Sequence, residues 1–349
     1  VHASANIASL DHATMCTASR RAALFLPLLL APAARAQTAA PPAAQASAQP
    51  VPALPDRSDI VYVLNSGDAT ISILDAGTRS ELRRIPALRE PHHLSLTPDG
   101  RELIIADSGG NEFFFLDPAT AEVKRRVRIS NPYHLCYSPD GKYLVVASLR
   151  RDQVDIYDAR DLSLLQRLRV GDKPSHICFD PGATTAFVTL QGVRSVLAVS
   201  LETRQPLWQA EVGREPAGVY WNRGKIICGV MGEAHFVVLN PETRQVERQI
   251  PIGRGAHTIF ASPDGRVLYG ASRVDSRIVA IDPESLEVTR VYEVPGGPDC
   301  IAFDSDGRLW ATLRWVQRVG ILDTRTGQLN TIRVGRSPHG IFVHPRRGE

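Results

Sequence analysis

The sequence predicts an all-β protein, a seven-bladed β-propeller closed by pairing of its C-terminal strand into the N-terminal blade. Three observations predict it. A segment beginning Pro91-His92-His93-Leu94 returns as Pro132-Tyr133-His134-Leu135, Pro174-Ser175-His176-Ile177, Pro216-Ala217-Gly218-Val219, Gly255-Ala256-His257-Thr258, Pro298-Asp299-Cys300-Ile301 and Pro338-His339-Gly340-Ile341. Successive starts lie about 40 residues apart, the period of a four-stranded blade. Turn signals recur in register, and the density of β-branched residues between them disfavours helices.

The first unit, Ile60 to Ile85, supplies strands two to four of a blade but no proline-led first strand. The second unit shows the full pattern. His93 to Thr97 is strand one, Pro98-Asp99-Gly100 a turn, Glu102 to Ala106 strand two, Glu112 to Leu116 strand three and Glu122 to Ile129 strand four. The same first turn recurs at Pro139-Asp140-Gly141, Pro263-Asp264-Gly265 and Ser305-Asp306-Gly307, where proline presets φ and glycine tolerates positive φ. A later turn recurs at Asp117-Pro118, Asn240-Pro241, Asp282-Pro283 and Asp323-Thr324, where an Asx side chain caps the reversal. The last unit is a spare first strand, Pro338 to His344. Pairing it with the first unit completes seven blades and removes the exposed sheet edges.

The domain organisation follows: residues 1–36 a presequence and secretory signal, 37–57 an Ala/Pro/Gln-rich disordered linker, 58–345 the propeller, and 346–349 a tail. Arg20-Arg21, the apolar run Ala22 to Leu30 and the small-x-small site Ala34-Arg35-Ala36 carry the signal reading, with Met15 as the expected start and cleavage before Gln37. The apolar run is too short for a stable membrane span. The expected location is periplasmic or secreted. Ser19-Arg20-Arg21 also resembles a twin-arginine signal, which leaves both export routes open. A formal charge of +3 with no long basic block in the body gives no electrostatic argument for nucleic acid, and no such partner is expected. Cys136, Cys178, Cys228 and Cys300 have no CxxC or zinc-finger spacing and read as buried small residues, not disulfides.

Six of the ten histidines fall in two adjacent columns of the repeat. His93, His134, His176 and His257 share the second column after the proline; His92 and His339 share the first. These positions lie at the loop entering each blade, so a closed ring brings them to one end of the central channel, where neutral imidazoles can ligate copper or zinc. His93, His134, His176 and His257 are the expected ligands of one ion, with His92 and His339 supplementary. A repeat copied from one ancestral blade also carries such a column to hold neighbouring loops by hydrogen bonds, a structural alternative. The loops after strand two, on the same face, offer Arg150, Arg273 and Arg314 as ligands for a carboxylate or phosphate and Trp315 as a stacking wall. Glu233 and His235 lie on a similar loop, with His235 as a supporting or outlying ligand, and His344 reads as structural. Asp107 and Asp299 reach the same end or cap turns. No G-x-S-x-G, H-E-x-x-H or phosphate-cradling glycine loop is present, so an enzymatic role would be that of a metal-dependent oxidoreductase.

Tyr62-Val63-Leu64-Asn65, one residue from Y-V-T-N, together with the repeated Ser-Pro-Asp-Gly turns, resembles the YVTN-type bacterial propellers over Ile60 to Pro345. The resemblance implies the fold, and leaves function among binding scaffold, enzyme and cofactor carrier. The tandem His92-His93 with single histidines from later blades resembles the copper-site layout of nitrous-oxide reductase propellers and, more loosely, of the copper-dependent methanethiol oxidases also called selenium-binding proteins. That likeness implies copper. The chain departs from it at Gly218 and Gly340, which interrupt the second column, at Cys300, which takes a histidine's place, and in lacking the CxxC segment of the oxidases. A resemblance also extends to haem d1-type propellers, where one axial histidine would hold the iron and Arg150, Arg273 and Arg314 the carboxylates. The expected partners are therefore a metal ion or small anionic ligand on a monomer, with a metal-free protein-, peptide- or polymer-binding scaffold as the competing function.

Overall fold

The computed structural model describes residues 58–345; the signal, the linker and the tail lie outside the described residues. In chain order the strands are β1 (Ile60–Asn65), β2 (Thr70–Asp75) and β3 (Ser80–Pro86) of the first blade, then β4 (Pro91–Leu96), β5 (Leu103–Asp107), β6 (Glu112–Leu116) and β7 (Val123–Arg128). The third blade has β8 (His134–Tyr137), β9 (Tyr143–Ser148), β10 (Gln153–Asp158) and β11 (Leu164–Arg169), and the fourth β12 (Pro174–Phe179), β13 (Thr185–Leu190), β14 (Ser195–Ser200) and β15 (Pro206–Glu211). The fifth has β16 (Pro216–Asn222), β17 (Lys225–Val230), β18 (His235–Leu239) and β19 (Val246–Pro251); the sixth β20 (Ala256–Ala261), β21 (Leu268–Ser272), β22 (Arg277–Ile281) and β23 (Val288–Glu293). The last has β24 (Pro298–Phe303), β25 (Leu309–Leu313), β26 (Arg318–Leu322) and β27 (Leu329–Arg333), followed by β28 (Pro338–His344).

These form seven four-stranded antiparallel sheets, and the first runs β28-β1-β2-β3. The register Ile60↔His344, Val61↔Val343, Tyr62↔Phe342 and Val63↔Ile341 is the closure expected from the spare last strand. A second latch lies beside it. Buried Asp59 accepts from Ser305 N at 2.6 Å and from Ser305 Oγ at 2.9 Å, tying the start of the first blade to the seventh blade. Asn65 Oδ1 accepts from Gly335 N at 3.1 Å.

Sheets pack face to face because the second and third strands of each blade are apolar on both faces. Ile60, Tyr62, Leu64, Ile71 and Ile73 of one blade share a core with Leu103, Ile105, Phe114 and Leu116 of the next. The fourth strands carry the charge: β7 is mostly exposed and lays Arg125 over the Phe115 ring at 3.5 Å and Arg126 over Phe114 at 4.0 Å. The Thr97-to-Gly100 turn closes through Gly100 N to Thr97 O at 2.8 Å, with Gly100 at φ 71°. A β-carbon there would meet nothing within 4 Å, so backbone conformation alone calls for glycine.

One feature of the first strands positions the site. Six of the seven begin with a register shift: after Pro91, Pro174, Pro216, Ala256 and Pro298, and opposite Val63 to Asn65 where β28 starts. An extra residue there bends the strand and re-aims its side chains. In β12 the vacated ladder position is filled by a side chain, Thr189 Oγ1 accepting from His176 N at 3.0 Å and donating to Ala217 O at 2.8 Å. Thr312 does the same between Cys300 N and His339 O.

Candidate functional site

In a regular strand adjacent residues point to opposite faces; the shift at Pro91/His93 lets His92 and His93 face the axis together, with ring centroids 4.8 Å apart. Around His93 stand His134 at 4.5 Å, His339 at 4.5 Å and His176 at 5.1 Å. His92 stacks on His339 at 3.7 Å, and His257 lies 5.3 Å from His176 and 6.2 Å from His339. All six column histidines therefore join one cluster. It is not a solvent-filled mouth, as the loop position alone suggests: five of the six are buried and His134 is half-buried. The inner strand ends pack closely there, with Tyr133 laid 4.2 Å from the His92 ring.

Burial sets the charge state. It pushes His134 and His257 down to about 4 and holds His92, His93, His176 and His339 well below the ordinary imidazole range. Six neutral imidazoles face one another. Burial also raises the Tyr133 hydroxyl to about 12, so it stays protonated.

The hub is Asp299, fully buried at the first-column position of the seventh blade. Its Oδ1 lies 2.7 Å from His257 Nδ1 and 2.6 Å from Arg273 Nη2; its Oδ2 lies 3.2 Å from Arg314 Nη1 and 3.5 Å from His339 Nε2. Burial works to raise this carboxyl, but the Arg273 guanidinium, helped by the close N–H of His257, outweighs it and holds it well below the usual range. The carboxylate beside His257 Nδ1 places the proton on that nitrogen and leaves Nε2 as a lone pair. His339 is fixed likewise: its Nδ1 is 3.0 Å from the His92 carbonyl oxygen, which only accepts, so Nε2 carries the lone pair. His176 Nδ1 is 2.7 Å from Ser175 Oγ, which accepts from Gln191 Nε2 at 2.7 Å.

Among the described residues His93 Nε2, His176 Nε2, His257 Nε2 and His339 Nε2, with His92 Nδ1 and His134 Nδ1, are buried with no hydrogen-bond partner, and His257 Nδ1 meets Asp299 at 2.7 Å without hydrogen-bond alignment. Buried polar atoms are ordinarily satisfied. At His176 and His339 one nitrogen has an outer partner and the other is left free, the arrangement of metal-binding histidines. By distance the candidate ligand groups are His92, His93 and His339, and His257, Asp299 and His339, each with its ligand atoms within 4.8 Å of one another. His134 and His176, expected as ligands, belong to neither group, and His339, expected as supplementary, belongs to both.

The chain matches the YNCE-like beta-propeller family over residues 17–346. It belongs to that family. No curated protein matches this YNCE-like propeller by sequence. Among solved structures it is similar to "Dihydro-heme d1 dehydrogenase NirN in complex with DHE" (TM-score 0.63, 18% identity, 83% of this chain and 77% of that one). It is also similar to Kuenenia stuttgartiensis hydrazine synthase (TM-score 0.62, 18% identity, 72% and 88%) and to a functionally unknown protein from Desulfotomaculum acetoxidans DSM 771 (TM-score 0.71, 12% identity, 82% and 100%). At these identities the likeness is one of fold.

The other expected site residues of the YNCE-like propeller are dispersed. Arg273 and Arg314 serve Asp299, whereas Arg150 Nη2 pairs with Glu90 Oε2 at 2.7 Å. Arg150 and Arg314 share a polar loop-face cavity of about 580 Å³ with Ser66, Arg89, Glu90 and Ser337; Arg273 and Trp315 are not among its walls. Trp315 is exposed and lies over Gly297, where a β-carbon would come within 2.6 Å of the indole. His235 pairs with Glu233 at 3.1 Å, away from the cluster. Asp107 caps a loop, accepting from Leu88 N, Arg89 N, Glu90 N and Gly110 N. All four described cysteines are free thiols; Cys228 and Cys300 are buried, while Cys136 and Cys178, expected to be buried, are half-buried in the channel wall.

Proposed function

We propose that this protein binds one copper or zinc ion on imidazole nitrogens of the axial cluster, with His92, His93 and His339 as ligands. The observation that carries the reading is the approach of three ligand atoms within 4.8 Å of one another, on rings that burial keeps neutral and whose free nitrogens lack partners. Tetrahedral ligands with bonds of about 2.0–2.1 Å stand roughly 3.4 Å apart, so a small inward movement completes the site. The alternative group at Asp299 already holds Arg273 and Arg314, whose positive charges oppose a further cation. Three imidazoles leave one position open on a four-coordinate ion, the arrangement that activates a bound molecule by Lewis-acid or redox chemistry.

The test is metal counting on protein stripped with chelator and reloaded with Cu(II) or Zn(II). One ion per chain is expected, with nitrogen hyperfine structure in the copper spectrum, and loss of uptake in a His93→Ala/His339→Ala double variant that keeps its β-sheet circular dichroism. Unchanged uptake in that variant overturns the site. No uptake by the native chain leaves the metal-free scaffold. The fold shared with the dihydro-haem d1 dehydrogenase is the reason to record the visible spectrum of protein from its native host, where a Soret-type band would replace the ion by a tetrapyrrole.

A further inference from the structure

Below the histidines the channel continues as a cavity of about 380 Å³, within the range of small-molecule sites. Its closed end is formed by His93, His134 and His176, and its walls by Cys136, Cys178, Ile177, Val219, Phe260 and Ile341. Pro139, in the turn between β8 and β9, lines its other end, so the cavity opens on the face opposite the arginine loops. No Asp, Glu, Lys or Arg lines it. The buried His93 Nε2 and His176 Nε2, on two of the residues at its closed end, have no partner.

The glycine interruptions of the second column belong to this shape. A β-carbon on Gly218 would lie 2.6 Å from the His257 carbonyl oxygen, and one on Gly340 would lie 2.7 Å from that of His92. Neighbouring inner strands approach too closely there for any side chain. Only part of the ring wall is therefore imidazole, and the remainder is aliphatic, aromatic and thiol with Tyr220 and Thr258, whose hydroxyl donates to the Asp299 carbonyl oxygen.

We propose that this shaft is a binding site for a small uncharged molecule with an apolar body and a single hydrogen-bonding end, the body against the aliphatic and thiol wall and the end on the imidazoles of His93, His134 and His176. A charged group is excluded because the wall offers it no counter-charge, and burying an unpaired charge is far costlier than burying an apolar ring. An apolar body gains by leaving water, and a hydroxyl end satisfies a buried nitrogen that otherwise has no partner. The site shares the cluster with the metal reading but requires no ion.

The experiment uses phenol, benzene and benzoate as probes on chelator-stripped full-length protein, by calorimetry and by the rate at which methyl methanethiosulfonate labels Cys136 and Cys178. Phenol is expected to bind saturably at one per chain, benzene at least five-fold and benzoate at least thirty-fold more weakly. Phenol should slow labelling of both thiols by ten-fold or more. Cys136→Phe, which fills the shaft, should abolish phenol binding while copper or zinc uptake is retained, which separates failure of this proposal from failure of the metal reading. Should that variant misfold, Cys178→Met and the protection of native thiols serve the same purpose. Equal affinity for benzoate and phenol, no saturable phenol binding, or labelling unaffected by phenol overturns the proposal.

Discussion

His257 and Asp299, on neighbouring blades, meet with 2.7 Å between Nδ1 and Oδ1, both side chains almost wholly inaccessible to water. The contact orients one imidazole and also balances Arg273 and Arg314.

Asp299→Asn should therefore act on two readouts. Removing one partner of a buried ionic network costs about 3 kcal/mol or more, and it also removes the negative charge that lies 3.5 Å from Nε2 of the proposed ligand His339, which should weaken metal binding. Denaturant titration and metal competition check the two effects separately. A variant as stable as the native protein would show that Asp299 is not the hub of the network.

Acid should unfold the metal-free protein early. The sign follows from the direction of the shifts: each cluster histidine has its folded pKa depressed by burial, to about 4 for His134 and His257, so between that value and the ordinary 6.5 the unfolded chain binds more protons. The stabilisation is complete above about pH 6.5 and is lost as pH falls towards 4. At 1.36 kcal/mol per pKa unit, the His257 shift corresponds to about 3 kcal/mol. Asp299, also depressed, contributes in the same sense at lower pH, its share being lost below the ordinary carboxylate value. Calorimetric melting from pH 8 to 4 should show a plateau and then a fall steepened by several protons. A melting temperature unchanged to pH 4.5 would contradict the burial of neutral imidazoles.

Deleting the chain from Ser337 onward removes β28, the partner of β1, with buried Ile341 and Val343. The truncated protein should self-associate through the freed β1 edge and melt at least 10 °C lower, by size-exclusion chromatography and calorimetry. A monomer with native melting temperature would refute the closure.

The sequence by itself determined the blade count, the strand order and the closure, because a period of about 40 residues with fixed turn chemistry admits one way of burying two-faced apolar strands. It also placed six histidines at equivalent strand starts. Reading the first column in full, His92, Tyr133, Ser175, Ala217, Ala256, Asp299 and His339, would have brought Tyr133 and Asp299 forward, since they occupy the same axial position as two of the histidines. Which side chains meet was decided only by the tertiary structure. A strand's alternation sends His92 and His93 apart, and it is the register shift after Pro91 that turns both to the axis. The approach of neighbouring backbones then forbids a side chain at Gly218 and Gly340, and the narrowness of the ring buries the histidines that their loop positions would have left in water. Local pattern specifies a strand and its faces; the distance between seven strands that never neighbour one another in sequence exists only once the ring has closed.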